Sequence, residues 1–409
     1  MSRLEDSLKR VYGLLPRGRS YGLERIVAAC AEFGNPERSF QVIHVAGTNG
    51  KGSVCAFLAA MLKSSSVRTG LYTSPHLNRF AERIQIDGNL VDDDTLARLI
   101  DEVMDKNLDL TFFEVATLVA FLAFREAKVD TAVLEVGLGG RLDATNVVPA
   151  PQIAVITRVS FDHMPVLGTS LREIAIEKAG IIKQGSKIVT GRLHPDARAV
   201  VEARAAEVGA EVLPLGDPEP FPGAQLAYPR MAMFGSNLAV AMTAARALGL
   251  DPQAMARGVE NTVWPGRNEL LHRNGHELTL LDCAHNPDGA VCLSHVIDAS
   301  LLGGAATRSD VALVFGSIQG KNWKSMLDRL EHTAAHRFYV APPIDNAEDP
   351  QQMASHISGQ VVESVSQAID RARARVGPQG LVVITGSVFL VGAARALLLN
   401  LKSDPPANA

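Results

Sequence analysis

Short apolar runs rich in β-branched residues alternate along this chain with longer segments whose apolar positions recur every three to four residues. The runs Q-V-I-H-V-A (41–46), T-A-V-L-E-V (131–136) and I-A-V-I-T (153–157) have the length and composition of strands buried on both faces of a parallel sheet. Between them, segments such as 111–128 carry helical periodicity. That β–α–β rhythm predicts helices covering a mostly parallel sheet. A second set follows at L-T-L-L-D-C (278–283), V-A-L-V-F-G (311–316), R-F-Y-V-A (337–341) and L-V-V-I-T-G (381–386), each trailed by a helical pattern. A chain of 409 residues exceeds the usual domain of about 100–200 residues, so two α/β domains are expected. The junction is placed near W-P-G-R (264–267), where Pro265 and Gly266 interrupt the pattern, giving domains 1–268 and 269–409. The Pro-rich run 213–223 competes as a boundary and is read as a loop inside the first domain.

Composition then narrows what such a fold could serve. With 47% hydrophobic and 21% charged residues, the chain belongs with globular proteins and not with disordered or collagen-like ones. Its 40 basic and 44 acidic residues leave a net charge of −4, which gives no long-range attraction for nucleic acid or an anionic membrane. Neither partner is expected, and any polyanion must be held by local groups. Cys30, Cys55, Cys283 and Cys292 show no C-x-x-C spacing, so a zinc knuckle or disulfide framework is not indicated and a reducing cytoplasm fits best. The start M-S-R-L-E-D-S-L-K-R is charged and helical, unlike a signal peptide, and no apolar run approaches the roughly 18–20 residues of a membrane span.

The strand at 41–46 runs into G-T-N-G-K-G-S (47–53) and then the helical stretch C-A-F-L-A-A-M-L. Glycines let a backbone wrap a phosphate, a helix N-terminus supplies N–H donors, and Lys51 neutralises phosphoryl oxygens. The pattern is a nucleotide-binding loop, although it departs from G-x-x-x-x-G-K-[ST]. Val45 stands where the first glycine belongs, and Gly52 separates Lys51 from Ser53.

After this loop come T-S-P-H-L (73–77), F-F-E (112–114), L-E-V-G-L-G-G-R-L-D-A-T-N (134–146), D-H (162–163), E-K-A-G-I (177–181), P-G-R (265–267) and D-C-A-H-N-P (282–287). In this order they resemble the folylpolyglutamate synthase and dihydrofolate synthase family of the Mur ligase superfamily, over about residues 20–390. The resemblance implies an N-terminal P-loop ATPase-like domain with a mostly parallel sheet and a smaller C-terminal Rossmann-like domain. It also implies ATP-dependent joining of L-glutamate to dihydropteroate, to folates, or to both, by a cytoplasmic monomer acting on small molecules. For the nucleotide it points to Thr48, Asn49, Gly50, Lys51, Gly52 and Ser53, with Asn237, Arg267 and Asp282 on adenine, phosphate and ribose. Magnesium (Mg2+) falls to Ser74, Glu135 and His163, with K+ as a further ion. Lys178 is implied to be carbamylated, and Lys51, Lys178 and His285 to serve catalysis. The pterin falls to Thr111, Phe112, Phe113 and Glu114 and to Leu142, Asp143 and Ala144.

The chemistry of these residue types agrees. Amide formation needs an activated acyl group, which ATP supplies as an acyl phosphate once two anions are brought together and their charge is screened. Glu135 at one strand end and His163 after another could converge above the sheet's carboxyl edge. Taken alone, Glu135 reads equally as a solvated strand-end carboxylate and His163 as a core or capping histidine. Lys178 alone reads as a helix-surface lysine paired with a nearby glutamate. Phe112 and Phe113 suit stacking on a flat bicycle or, equally, a core position at the start of a helix, while a carboxylate suits an amino-pyrimidine edge.

Three departures from the family pattern stand out. The chain reads G-K-N at 320–322 where D-K-D is frequent, Met233 and Phe234 stand where His-Gln is common, and Cys283 replaces the glycine of D-G-A-H-N. A Mur ligase acting on a UDP-linked muropeptide is the main competing reading. It usually carries an extra domain of about 100 residues or more before the phosphate loop, a typical domain size, whereas only 46 residues precede Gly47. A non-catalytic nucleotide-binding relative is the third reading, opposed by the joint presence of Lys51, Glu135, His163 and Lys178. Because the positions implied for the pterin are all filled, a bifunctional enzyme is expected.

Overall fold

A computed structural model describes residues 2–14, 22–216, 228–272, 278–302, 308–378 and 380–405, with the backbone alone at 228–234, 299–302 and 308. Among these residues two sheets form, as the two sets of apolar runs require. The first has eight strands in the order β4-β3-β2-β5-β1-β6-β7-β8. They are β1 (Gln41–Ala46), β2 (Thr69–Tyr72), β3 (Ile84–Ile86), β4 (Asn89–Leu90), β5 (Thr131–Glu135), β6 (Ile153–Ile156), β7 (Lys187–Thr190) and β8 (Glu211–Leu213). Pairing from β2 to β8 is parallel, and β3 and β4 add an antiparallel edge. The central strands are buried along nearly their whole length, which is why their sequences are continuous apolar runs rather than alternating ones.

The second sheet has six strands, β13-β12-β11-β14-β10-β9. These are β9 (Glu269–His272), β10 (Leu278–Leu281), β11 (Val311–Phe315), β12 (His336–Tyr339), β13 (Gln360–Val361) and β14 (Leu381–Thr385), with β9 alone antiparallel. β1 spans its whole predicted run, and the other strands end one or two residues before theirs do. Val136, Thr157, Asp282 and Cys283 instead begin the loops at the sheets' carboxyl edges. The helix expected over 111–128 spans Phe112–Glu126, with Thr111 as its N-cap. The run at 213–223 begins as the end of β8, and most of it lies outside the described residues.

The strand order decides where a ligand binds. β1 lies between β5 and β6, so the connections leaving it and its neighbours diverge to opposite faces and open a crevice at the carboxyl edge. The phosphate loop leaves β1 into that crevice, beside Glu135 at the end of β5, which pairs in register with Val45. The second sheet is tethered above it. Cys283 N donates to Gly266 O at 2.8 Å, Asn78 Nδ2 to Gly392 O at 2.8 Å, and Phe80 N to the Asp404 carboxylate at 2.6 Å.

Candidate active site

The loop between β1 and the helix Lys51–Ser64 is shaped by its glycines. Gly50 sits at φ 88° as the helix N-cap, and a Cβ there would come within 2.3 Å of Asn237 Oδ1, so only glycine fits. No side chain caps this helix, which leaves its first N–H groups for a ligand. The loop is pinned from below by the segment after β6. Thr157 Oγ1 donates to Asn49 O at 2.8 Å, and Ser160 N donates to Thr48 Oγ1 at 3.0 Å. Lys51 Nζ donates to Thr48 O at 3.3 Å and stands 4.0 Å from Glu135.

Glu135 is buried and accepts from Ser74 N at 3.0 Å. Burial pushes its carboxyl pKa up, with Lys51 and the Ser74 amide acting in opposition. It is therefore not a solvated strand-end group. Lys178 is not a surface lysine either, because the helix Leu171–Ala179 packs it under the loop, 3% exposed, with Nζ donating to Gly47 O at 2.9 Å. Burial, reinforced by Lys51, lowers its pKa to about 7. His163, in a left-handed conformation at φ 50°, opens the short helix Met164–Leu167 and stands 3.9 Å from Asp162.

Arg267, in the turn before β9, donates through Nη1 to Cys283 O at 3.0 Å, and His285, from the loop after β10, has its Nδ1 2.9 Å from the same carbonyl. Asp282 is buried and accepts from Asn268 N and Ala284 N, both at 2.9 Å. Burial raises its pKa, against the pull of Arg267.

One cavity of about 380 Å3 is lined by Thr48, Asn49, Gly50, Lys51, Gly52, Ser53, Ser74, Glu135, His163, Lys178, Asn237, Arg267, Asp282 and His285. Every residue expected at the nucleotide and metal thus borders one space. A second cavity, of about 700 Å3, is lined by Thr111, Phe112, Phe113, Glu114, Leu142, Asp143 and Ala144, again the whole set expected for the pterin. Ser74, Pro75, Gly137, Leu138 and Leu167 border both, so the cavities meet across a common wall. Phe112 and Phe113 are half-buried, resting on the core with a side toward the cavity. Phe113 lies so close to the wall that a Cβ on Gly137 would meet its ring at 2.5 Å.

The two carboxylates among the residues expected at the pterin have structural partners. Glu114 completes a capping box with Thr111 and pairs with Arg25 at 3.0 Å, while Asp143 accepts from Leu138 N at 2.8 Å and from Thr145 N at 3.1 Å.

Two family models match the chain, the Mur ligase middle domain over residues 45–212 and the Mur ligase glutamate ligase domain over 266–388. The dihydrofolate synthase/folylpolyglutamate synthase of Bacillus subtilis (strain 168) is 34% identical, covering 96% of this chain and 99% of that one. The chain belongs to the dihydrofolate synthase/folylpolyglutamate synthase family. It is therefore an ATP-dependent ligase of the Mur type. Among solved structures, E. coli FolC in complex with DHPP and ADP superposes with a TM-score of 0.87 at 28% identity, covering 98% of each chain. A bifunctional folylpolyglutamate synthase/dihydrofolate synthase with Mn, AMPPNP and L-glutamate bound superposes at 0.80, with 29% identity over 93% of this chain and 95% of that one.

Within this family fold, two of the sequence departures have local explanations. In G-K-N, Asn322 caps the helix Trp323–Leu330, the task an aspartate would also perform, and Lys321 Nζ reaches Asp162 at 2.9 Å. Cys283 is 1% exposed and sits under Gly266 as a small buried residue. The side chains of Met233 and Phe234 lie outside the described residues.

Asp162 is the residue that the sequence reading most clearly passed over, since D-H was noted there and only His163 was given a role. It joins the two sheets' loops, accepting from Lys321 and from Asn286 Nδ2 at 3.2 Å, with His285 Nε2 at 3.7 Å. Burial alone would raise its pKa, but His285 and Lys321 hold it well below the usual carboxylate range. Asn286 and Asn49 add a reciprocal amide pair, at 3.0 and 3.1 Å. No local sequence signal marks these contacts, whose partners stand far apart in the chain, as far as 237 positions for Asn49 and Asn286.

Proposed function

We propose that the chain joins L-glutamate to dihydropteroate and extends reduced folates by further glutamates, using one ATP site. The observation that supports this most strongly is the common wall. A phosphate-loop cavity and an aromatic-walled cavity that meet at Ser74 and Gly137 bring a carboxylate from one to a γ-phosphate in the other. A carboxylate oxygen attacks the γ-phosphorus, the bond to the β,γ-bridging oxygen breaks, and ADP leaves. The glutamate nitrogen then attacks the acyl carbon, and phosphate departs with one original carboxylate oxygen as the amine sheds its proton.

Lys51 and the helix N-terminus bind and neutralise the phosphates. Ser74, Glu135 and His163 fit a magnesium ion. Among the described residues no cluster of three or more His, Cys, Asp or Glu side chains converges, and Mg2+ needs only one or two carboxylates beside substrate phosphates and water. Glu135, buried with Lys51 4.0 Å away, is a carboxylate suited to a further positive partner. When bound, the ion screens the two anions. Lys178 fits carbamylation because an amine of pKa about 7 is substantially neutral at neutral pH, as addition to carbon dioxide requires. K+ is an additional ion in this reading, and Asn237, Arg267 and Asp282 hold adenine, phosphate and ribose.

A division at 268/269 is proposed for the domains, between the last residue of the P-G-R-N turn and β9. The enzyme is proposed to act as a monomer. Cys30, Cys55, Cys283 and Cys292 are all free thiols, which supports a reducing cytoplasmic setting. No helix among the described residues is long and apolar enough to cross a membrane.

Two experiments test the reading. With dihydropteroate labelled by 18O in its carboxylate, released phosphate carries one label. Label in AMP, or in neither product, overturns the acyl phosphate. Phe113→Ala raises KM for dihydropteroate several-fold more than for a folate already carrying glutamate, since the smaller acceptor depends more on ring contact. Equal effects on both would contradict it.

A further inference from the structure

Arg83 is a buried cation that no carboxylate among the described residues meets at ion-pair distance, although Glu135 and Glu82 act on it from farther off. It is 6% exposed, immediately before β3, and lines the aromatic-walled cavity together with Ser74, Pro75 and Phe112. Its Nε donates to His76 Nδ1 at 2.8 Å, and its guanidinium lies 5.6 Å from the Phe80 ring centre and 5.3 Å from that of Phe112. Among the described residues no carboxylate forms an ion pair with it, and its two terminal nitrogens have no hydrogen-bond partner. The His76 ring nitrogen that accepts the Nε bond brings no negative charge to the guanidinium. Burying a guanidinium costs several kcal/mol unless an anion and hydrogen bonds compensate. Tyr12, stacked on Phe112 at 5.9 Å, adds a buried hydroxyl that also has no partner among the described residues.

We propose that Arg83 binds the carboxylate of the acceptor, the group that ATP phosphorylates. The proposal rests on the reading of this cavity as the acceptor site. An acceptor carboxylate approaching a triphosphate is repelled. Lys51 meets the charge on the nucleotide side of the common wall, and Arg83 is the counterpart on the acceptor side. Its planar fork suits two carboxylate oxygens, and the pair survives phosphorylation because the acyl phosphate remains an anion. The aromatic rings on its flank keep water out and fix its plane.

The test is calorimetric titration of the intact protein, with a non-hydrolysable ATP analogue present, by dihydropteroate and by its carboxamide. Wild type is expected to favour the carboxylate by about tenfold or more, and Arg83→Gln to lose that preference while binding the carboxamide within about threefold of wild type. Arg83→Lys keeps part of the preference, since the charge remains and the fork is lost. Equal wild-type affinities for the two ligands, or equal weakening of both in Arg83→Gln, overturns the role of Arg83 while leaving the acceptor site standing. Failure of wild type to bind either ligand, with the nucleotide analogue bound normally, overturns the acceptor site itself. If Arg83→Gln does not fold, the wild-type preference and its partial survival in Arg83→Lys decide the matter.

Discussion

Lys51→Ala lowers turnover by about 10²-fold or more at saturating ATP, the size of loss expected when a preorganised charge on a transferred phosphoryl group is removed. The fold survives, because Lys51 is the first residue of its helix and its ammonium makes one weak bond, to Thr48 O at 3.3 Å. The change has a second consequence. Glu135 loses its nearest cation, so its already raised carboxyl pKa rises further. Its protonated form then persists to higher pH, and residual activity shifts its acidic limb upward. Stopped assays across pH, paired with a thermal melt, check both effects. Near-normal turnover in the variant would remove Lys51 from the mechanism.

Lys178→Ala and Lys178→Arg both abolish activity, for the same reason. The account gives Lys178 an anionic role through its carbamate, so arginine, which keeps positive charge and cannot form one, does not rescue. Arginine would also place a permanent cation in a site only 3% exposed, near Lys51. The pH sign follows from the lowered amine pKa of about 7. Above it the amine is neutral and can take up carbon dioxide. Below it the amine protonates, the carbamate is lost, and activity falls. At pH near 6, added bicarbonate restores part of the wild-type rate and none of either variant's. Full activity in Lys178→Arg would make Lys178 an ordinary cation.

What could be read from the sequence was whatever is local in the chain. β1, the phosphate loop and the helix Lys51–Ser64 form one continuous segment in which an apolar run, three glycines and a largely apolar helical stretch follow one another. β5, β6, β11 and β14 were legible because burial on both faces leaves an unbroken apolar run. The two-residue strands β4 and β13 were too short to carry any period.

Side-chain environments were less legible. The polarity of I-E-K-A-G-I suits an exposed helix face, and only packing against the loop from β1 buries Lys178. Thr111 and Glu114 spell a capping box three residues apart, a local signal that the substrate reading of Glu114 overlooked. Asp162 and Arg83 were invisible for different reasons. The partners of Asp162 come from the other sheet's loops, and the significance of Arg83 lies in an anion that no described residue brings to ion-pair distance.

The most direct test is one incubation panel with ATP, Mg2+ and L-glutamate, offering dihydropteroate, tetrahydrofolate monoglutamate or a UDP-linked muropeptide, with products identified by mass. The account predicts dihydrofolate from the first, a diglutamate from the second, no product from the third, and one ADP for each amide formed. A muropeptide product, or ATP turnover indifferent to all three acceptors, would contradict it.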